Sequence, residues 1–209
     1  MKILVADDHL IVRRGFQYIV AGRPDWSVAG EAADADGLFE TLRRSHFDVL
    51  VLDLSLGARN ALEFLGQLRA EFPLLPILIL ASDGEEPYAM RALRAGAHGF
   101  IQKDSSAQEF LMAIDRVGNG GRYISPAVTE LLADEVARGS MALQPHDRLS
   151  SREFEVFRSI AHGHSLTDIA GRLNLSVKTV STYRSRILMK TGFRSNADII
   201  AYAIRNQLV

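Results

Sequence analysis

Short apolar runs alternate with amphipathic stretches through the first ~120 residues, the pattern of a parallel sheet wrapped in helices. Ile3–Ala6, Val28–Glu31, Val49–Leu52, Ile77–Ala81 and Gly99–Ile101 are the predicted strands. Lys2–Ala6, Val49–Leu52 and Ile77–Leu80 are nearly all apolar, as strands covered on both faces are. Helical spacing predicts helices over 10–21, 35–45, 60–71, 86–95 and 106–118. Ser105-Ser106-Ala107-Gln108 reads as a capping box opening the last of them. Five βα units in this order predict an α/β, doubly wound, five-stranded parallel sheet with its site at the carboxyl ends of the strands.

Gly118-Asn119-Gly120-Gly121 ends that block. An amphipathic helix is expected over 126–138, opened by Ser125-Pro126 and carrying Val128, Leu131, Leu132 and Val136 on one side. Gly139 to His146 has the composition of a linker. Beyond it the pattern is helical only: Ser151–His162, Leu166–Leu173, Val177–Lys190 and Asn196–Arg205. Ser150-x-x-Glu153 and Ser165-x-x-Asp168 cap the first two of these. The expected organisation is therefore an α/β domain over 1–121, a linker helix and linker over 122–146, and an all-α four-helix domain over 147–209.

Charge divides the chain along the same line. Residues 147–209 carry +5 and residues 1–146 carry −6, which together give the net −1. An acidic front and a basic back is the pattern of a protein whose back half alone meets a polyanion. The chain has no cysteine, which excludes a disulfide framework, a thiolate metal site and a cysteine nucleophile. Two acids follow only four apolar residues at the start, and no apolar run is long enough to span a bilayer, so a soluble, cytoplasmic protein without membrane contact is expected.

The candidate chemistry sits at strand ends. Asp7 and Asp8 follow the first strand and Asp53 the third, and the predicted sheet makes these ends neighbours. Converging carboxylates raise each other's pKa unless a cation intervenes, and Mg²⁺ suits a few carboxylates plus water. Ser82 ends the fourth strand and Lys103 lies just past the fifth. A nucleophilic carboxylate with a metal, an ammonium and a hydroxyl around it forms a phosphoryl-binding site. Taken singly, each acid is as well read as a loop residue or helix cap; the joint placement carries the inference.

The stretches LVADDH, VLVLDLS, ILILAS and GFIQKD resemble the response-regulator receiver family across residues 1 to about 120. That resemblance implies that Asp53 accepts a phosphoryl group. It implies that Asp8 and Asp53 bind Mg²⁺ with the Ser55 backbone carbonyl, Asp7 acting mainly through water. Lys103 then contacts the phosphoryl oxygens and Ser82 closes onto them. Phe100 matches the aromatic that changes rotamer on activation, and equally reads as core packing. The chain departs from the family in the loop LSLGARNAL, where Gly57 and Ala61 replace the usual Pro and Gly four and eight residues after the acceptor.

In the basic region, Leu173-Asn174-Leu175-Ser176 separates two helices at helix-turn-helix spacing, Asn tolerating the left-handed conformation and Ser176 capping the next helix. At 100° per residue, Val180, Tyr183, Ile187 and Thr191 gather on the core side of that helix. Lys178, Ser181, Thr182, Ser185, Arg186 and Met189 gather opposite. Short hydroxyl residues among basic ones suit entry into a major groove, whereas a merely solvated face would be richer in Glu and Lys. The run LSSREFEVFRSIAHGHSLTDIAGRLNLSVKTVSTYRSRILMKTG resembles the LuxR-type DNA-binding domain of NarL/FixJ-family regulators. The candidate DNA-contacting set is Lys178, Thr179, Ser181, Thr182, Ser185, Arg186 and Lys190. Many relatives carry lysine where Ser181 and Ser185 stand, so their base preference does not transfer.

Together these resemblances imply a two-component response regulator, not an enzyme. A sensor histidine kinase is the expected phosphodonor, double-stranded DNA the partner, and a homodimer the DNA-bound form, with control either by release of the recognition helix or by dimerisation. Two rivals are a phosphohydrolase, which needs a second carboxylate where Ser55 stands, and a DNA-binding factor whose receiver-like module works without phosphorylation.

Overall fold

The computed structural model describes residues 1–57, 59–82, 84–125, 128–130 and 144–209. Of the helix expected over 126–138, residues 128–130 are described: they are helical, with Val128 buried and the Thr129 N–H donating to the Ser125 carbonyl at 2.9 Å, while the rest of that helix and most of the linker after it lie outside the described residues. The chain divides into two compact units, Met1–Ala133 and Asp134–Val209.

The first unit contains the doubly wound sheet. Its strands are β1 (Lys2–Ala6), β2 (Ser27–Ala32), β3 (Val49–Asp53), β6 (Ile77–Ala81), β7 (Gly99–Gln102) and β8 (Tyr123–Ile124), all parallel, in the order β2-β1-β3-β6-β7-β8. Alternation across the sheet explains the near-continuous apolar strands. Ile3, Val5, Val49, Val51, Leu78, Leu80 and Ile101 pack with Phe16 and Val20 of α1 (Leu10–Val20) and with Phe110, Ile114 and Val117 of α5 (Ala107–Gly118). The intervening residues Leu4, Leu50, Leu52, Ile79 and Phe100 are equally buried and face the other way. Among the described residues this unit also contains α2 (Ala35–Arg44), α3 (Leu65–Glu71), α4 (Ala89–Arg94) and a helical stretch at 128–130.

Four features differ from the sequence expectation. The sheet has six strands rather than five. β8 pairs with β7 through Gly99↔Tyr123 and Phe100↔Ile124, so the sheet continues past residue 121. Two residues are too short to show a period, and the close approach depends on Gly99, where a Cβ would lie 2.7 Å from the Tyr123 carbonyl. Next, the helix expected over 60–71 starts late. A small hairpin, β4 (Ser55–Leu56) with β5 (Arg59–Asn60), and a 3-10 turn at Ala61–Glu63 precede α3. The Asn60 side chain accepts from the Leu62 N–H and starts that turn. Likewise a 3-10 turn at Glu86–Tyr88, containing the donor-less Pro87, precedes α4. Finally, the capping box of α5 is formed by Ser106 and Glu109, one residue beyond the expected pair, because a carboxylate is the better acceptor for the cap N–H.

The second unit is helical. A 3-10 turn (Pro145–Arg148) leads into α6 (Ser151–Ala161), α7 (Leu166–Arg172), α8 (Val177–Thr191) and α9 (Asn196–Arg205). Phe154, Phe157, Ile160, Ile169, Val180, Ile187, Ile199 and Ala203 form its buried core. Ser150/Glu153, Ser165/Asp168 and Ser195/Asp198 close capping boxes on α6, α7 and α9, and Ser176 caps α8 through the Thr179 N–H. Asn174 takes the left-handed conformation (φ 53°) in the α7–α8 turn.

Candidate functional site

The order of the sheet reverses between β1 and β3, and the acids stand at the carboxyl ends of these two strands. Asp7 and Asp53 are both buried, at 0% and 1% exposure. Lys103, carried just past β7, inserts its Nζ between them, 2.8 Å from Asp7 Oδ2 and 2.8 Å from Asp53 Oδ2. Burial pushes the Asp53 carboxyl above the ordinary range and Asp7 adds to that push, the Lys103 hydrogen bond opposing both only in part. For Lys103, burial disfavours the charge, but the two carboxylates outweigh it and the pKa is raised.

Asp8 is more exposed than its neighbour, and the ring of His9 lies 2.8 Å from Asp8 Oδ1 and 3.2 Å from Asp7 Oδ1. One ligand atom from each of Asp7, Asp8, His9 and Asp53 falls within 4.8 Å of the others. This oxygen-rich donor set fits a hard divalent cation. Asp7 Oδ2, ion-paired with Lys103, accepts no well-aligned hydrogen bond among the described residues, so the pocket retains acceptor capacity for one. Arg13 steadies the β1–α1 loop: its Nη1 donates to the Asp7 carbonyl at 2.7 Å while its Nε pairs with Glu31 at 2.8 Å.

Of the other sequence-derived residues, Ser55 touches this centre directly. The Ser55 N–H donates to Asp53 Oδ1 at 3.3 Å. Ser82 is exposed at the end of β6, and its main-chain N–H donates to Glu85 Oε2 at 2.6 Å. Glu85 Oε1 accepts from the Ser55 hydroxyl at 3.1 Å, so one carboxylate ties the β6–α4 loop to the β3 loop. Phe100 is fully buried on the sheet face opposite the α1 and α5 packing. Gly57 adopts φ +60° in the two-residue connection of the β4–β5 hairpin, a conformation closed to the Pro common in the family. Sequence reasoning gave Glu85, Arg13 and His9 no role. His9 stood inside a quoted stretch, but nothing in the pattern around Glu85 or Arg13 marks them.

In the second unit, Lys178, Ser181, Thr182, Ser185, Arg186 and Met189 are all exposed on α8, while Val180 and Ile187 are buried. The Thr182 and Ser185 hydroxyls donate to the carbonyls of Lys178 and Ser181 one turn back. Thr179 is part of the N-cap, its hydroxyl 2.8 Å from that of Ser176. Lys190 is exposed as well but is already paired: its Nζ is 2.6 Å from Oε2 of Glu153, which is 2% exposed. Arg184, whose role the sequence left open, donates to Asn196 Oδ1 at 2.7 Å and braces α8 against α9. His162 and His164 lie near each other, with His164 hydrogen-bonded to the Ser159 carbonyl, and they form no metal-ligating group among the described residues.

Residues 3–115 match the family model of the response regulator receiver domain, and residues 147–203 match that of the bacterial regulatory proteins, luxR family. Over its whole length the chain is 33% identical to the oxygen regulatory protein NreC of Staphylococcus epidermidis, spanning 99% of that protein. The NreC of Staphylococcus aureus is 34% identical with the same coverage. Among solved structures the chain resembles RcsB from Salmonella enterica serovar Typhimurium bound to promoter rprA in the presence of the phosphomimetic BeF3−, with a TM-score of 0.64, 27% identity and 97% of each chain covered. It also resembles a LuxR-family two-component response regulator from Aurantimonas sp. SI85-9A1, with a TM-score of 0.61, 32% identity, and coverage of 65% of this chain and 97% of that one. A receiver domain followed by a LuxR-type regulatory domain, matched end to end by such relatives, makes this chain a member of the two-component response regulator family.

Proposed function

We propose that Asp53 is the phosphoryl acceptor and that its phosphorylation controls binding of double-stranded DNA by α8. The observation that carries this reading is the placement of Lys103 between two buried carboxylates, 2.8 Å from each. An Asp53 oxygen attacks the phosphorus of a phosphohistidine on a sensor kinase; the P–N bond breaks, its electron pair stays on the imidazole nitrogen, and that nitrogen takes up a proton from solvent. The Lys103 ammonium is already positioned to neutralise charge on the transferred group. The Ser55 N–H, now donating to Asp53, is a ready donor to it. Asp8 and Asp53, with the Ser55 carbonyl and Asp7, would hold Mg²⁺, which supplies charge neutralisation on the phosphoryl oxygens.

On the DNA side, Lys178 and Arg186 supply phosphate contacts, and Ser181, Thr182 and Ser185 stand on the exposed face that enters the groove. Thr179 contributes through the cap at the helix N-terminus, where backbone N–H groups favour an anion. Lys190 contributes only if it leaves Glu153. RcsB has been solved as two dimers bound to two parallel DNAs. A homodimer on paired half-sites, acting in the cytoplasm as a regulator rather than an enzyme, is the corresponding reading here. The protein is incubated with acetyl phosphate and Mg²⁺, and its mass and DNA affinity are measured beside Asp53→Asn. A mass gain and a change in affinity confined to the native protein are expected. Equal behaviour of both proteins favours a receiver that works without phosphorylation.

A further inference from the structure

The carboxylate of Glu85 stands where a further anion is least welcome, beside an acidic pocket in which, among the described residues, Lys103 is the one cation in contact with both Asp7 and Asp53. Both of its oxygens are engaged, Oε2 by the Ser82 main-chain N–H at 2.6 Å and Oε1 by the Ser55 hydroxyl at 3.1 Å. These donors belong to the two loops that flank Asp53. Ser55 also gives its own N–H to Asp53. Ser82, meanwhile, is held exposed, its main chain anchored to Glu85. Burial pushes the Glu85 carboxyl above its ordinary range, and Asp53 adds to the push, so the two acids sense one another.

We propose that Glu85 is an anionic latch on the proposed phosphorylation site: it occupies the Ser82 and Ser55 donors at rest, pins the β6–α4 loop open, and must be displaced when a phosphoryl group arrives on Asp53. A phosphoryl group brings close to two negative charges into the same space and needs hydrogen-bond donors of its own. Glu85 and the phosphoryl group therefore compete for position and repel each other. Displacing the Glu85 carboxylate frees the Ser82 main-chain N–H, while the Glu85 N–H stays on the Ser82 carbonyl, and lets Ser82 turn toward Asp53. Glu85 thereby sets the threshold for phosphorylation. It is a positioning residue acting through Ser82 and Ser55, touching no reacting atom.

This inference rests on the assignment of Asp53 as acceptor, and the test separates the two. Beryllofluoride affinity and the initial rate of phosphorylation by acetyl phosphate are measured, with Mg²⁺, for native protein, E85Q, E85A and D53N. Removing one nearby negative charge at a partly screened site is worth roughly tenfold. Tighter beryllofluoride binding and faster phosphorylation, about tenfold in both Glu85 variants, are expected. Native-like or slower behaviour in the Glu85 variants, with a responsive native protein, overturns the latch. Mg²⁺ affinity without phosphodonor serves as a further readout: a large loss in E85Q would make Glu85 a cation ligand and overturn the latch as well. A native protein that behaves like D53N overturns the acceptor assignment itself.

Discussion

Lys103 donates a 2.8 Å hydrogen bond to Asp53 across fifty positions of sequence, from the end of one strand to the end of another. The same ammonium is shared with Asp7, so a single cation compensates two buried carboxylates. Proteins rarely leave such a charge balance incomplete at a purely structural site, because each uncompensated buried charge costs several kcal/mol. The imbalance is suited to accepting a further cation and exchanging partners when a phosphoryl group is added.

Lys103→Met leaves Asp7 and Asp53 facing each other without their ammonium. Phosphorylation by acetyl phosphate should slow by at least about tenfold. Stability in chelator should fall by about 1–3 kcal/mol and be partly restored by millimolar Mg²⁺, read by denaturant unfolding. Equal stability with and without the lysine would show that the pair is energetically idle.

Gly57→Pro restores the residue usual in the family at that position but imposes φ near −65° where this chain has +60°. Destabilisation of about 2 kcal/mol is expected, and Gly57→Ala should cost about 1 kcal/mol. Thermal unfolding of the two variants reads this directly. A stabilising Pro would mean that the hairpin turn is not held in the left-handed conformation.

Gly99→Ala places a methyl against the Tyr123 carbonyl at 2.7 Å, with Leu78 Cδ1 at 2.8 Å and Val117 Cγ2 at 3.1 Å. The sixth strand must move away or the sheet must shift. We expect a loss of about 2 kcal/mol and, in hydrogen exchange, faster exchange of the Tyr123 N–H, which donates to the His98 carbonyl.

His98 accepts the Ile77 N–H on Nδ1 at 3.2 Å, and its pKa is lowered, first by burial and then by Arg69 and Arg122. The unfolded chain therefore binds its proton more readily than the folded one. The stabilisation is complete above the ordinary histidine pKa and is lost as pH falls through the lower folded value. His98→Asn should flatten that part of the stability profile of the first unit; an unchanged acid limb would exclude this histidine as its origin.

Glu153 shows the corresponding behaviour in the second unit. Burial raises its pKa, but Lys190 and the Ser150 cap overcome that and hold it below the usual range. Its contribution is present above the ordinary glutamate pKa and disappears as pH falls through the depressed one. Glu153→Gln should cost about 2 kcal/mol at neutral pH and also free Lys190. If Lys190 can then reach phosphate, the salt dependence of DNA binding should steepen by about one unit, whereas Lys178→Ala should make it shallower by about one.

Five of the six strands and the acidic pocket are legible in the amino-acid pattern. Apolar runs such as Val49–Leu52 can be buried on both faces only in a covered parallel sheet, and topology then forces Asp7, Asp53 and Lys103 to the same edge. The outward face of α8 was equally legible, since Ser181 and Ser185 repeat at helical spacing opposite Val180 and Ile187. The remaining features arise only from packing. The sixth strand depends on the empty space at Gly99, the direction of Lys190 depends on a glutamate 37 residues away, and the role of Glu85 depends on two loops meeting. Local sequence encodes period and turn chemistry. It does not encode which single side chain a neighbouring element brings within 3 Å, because that is fixed only once the packed layers have set their distances.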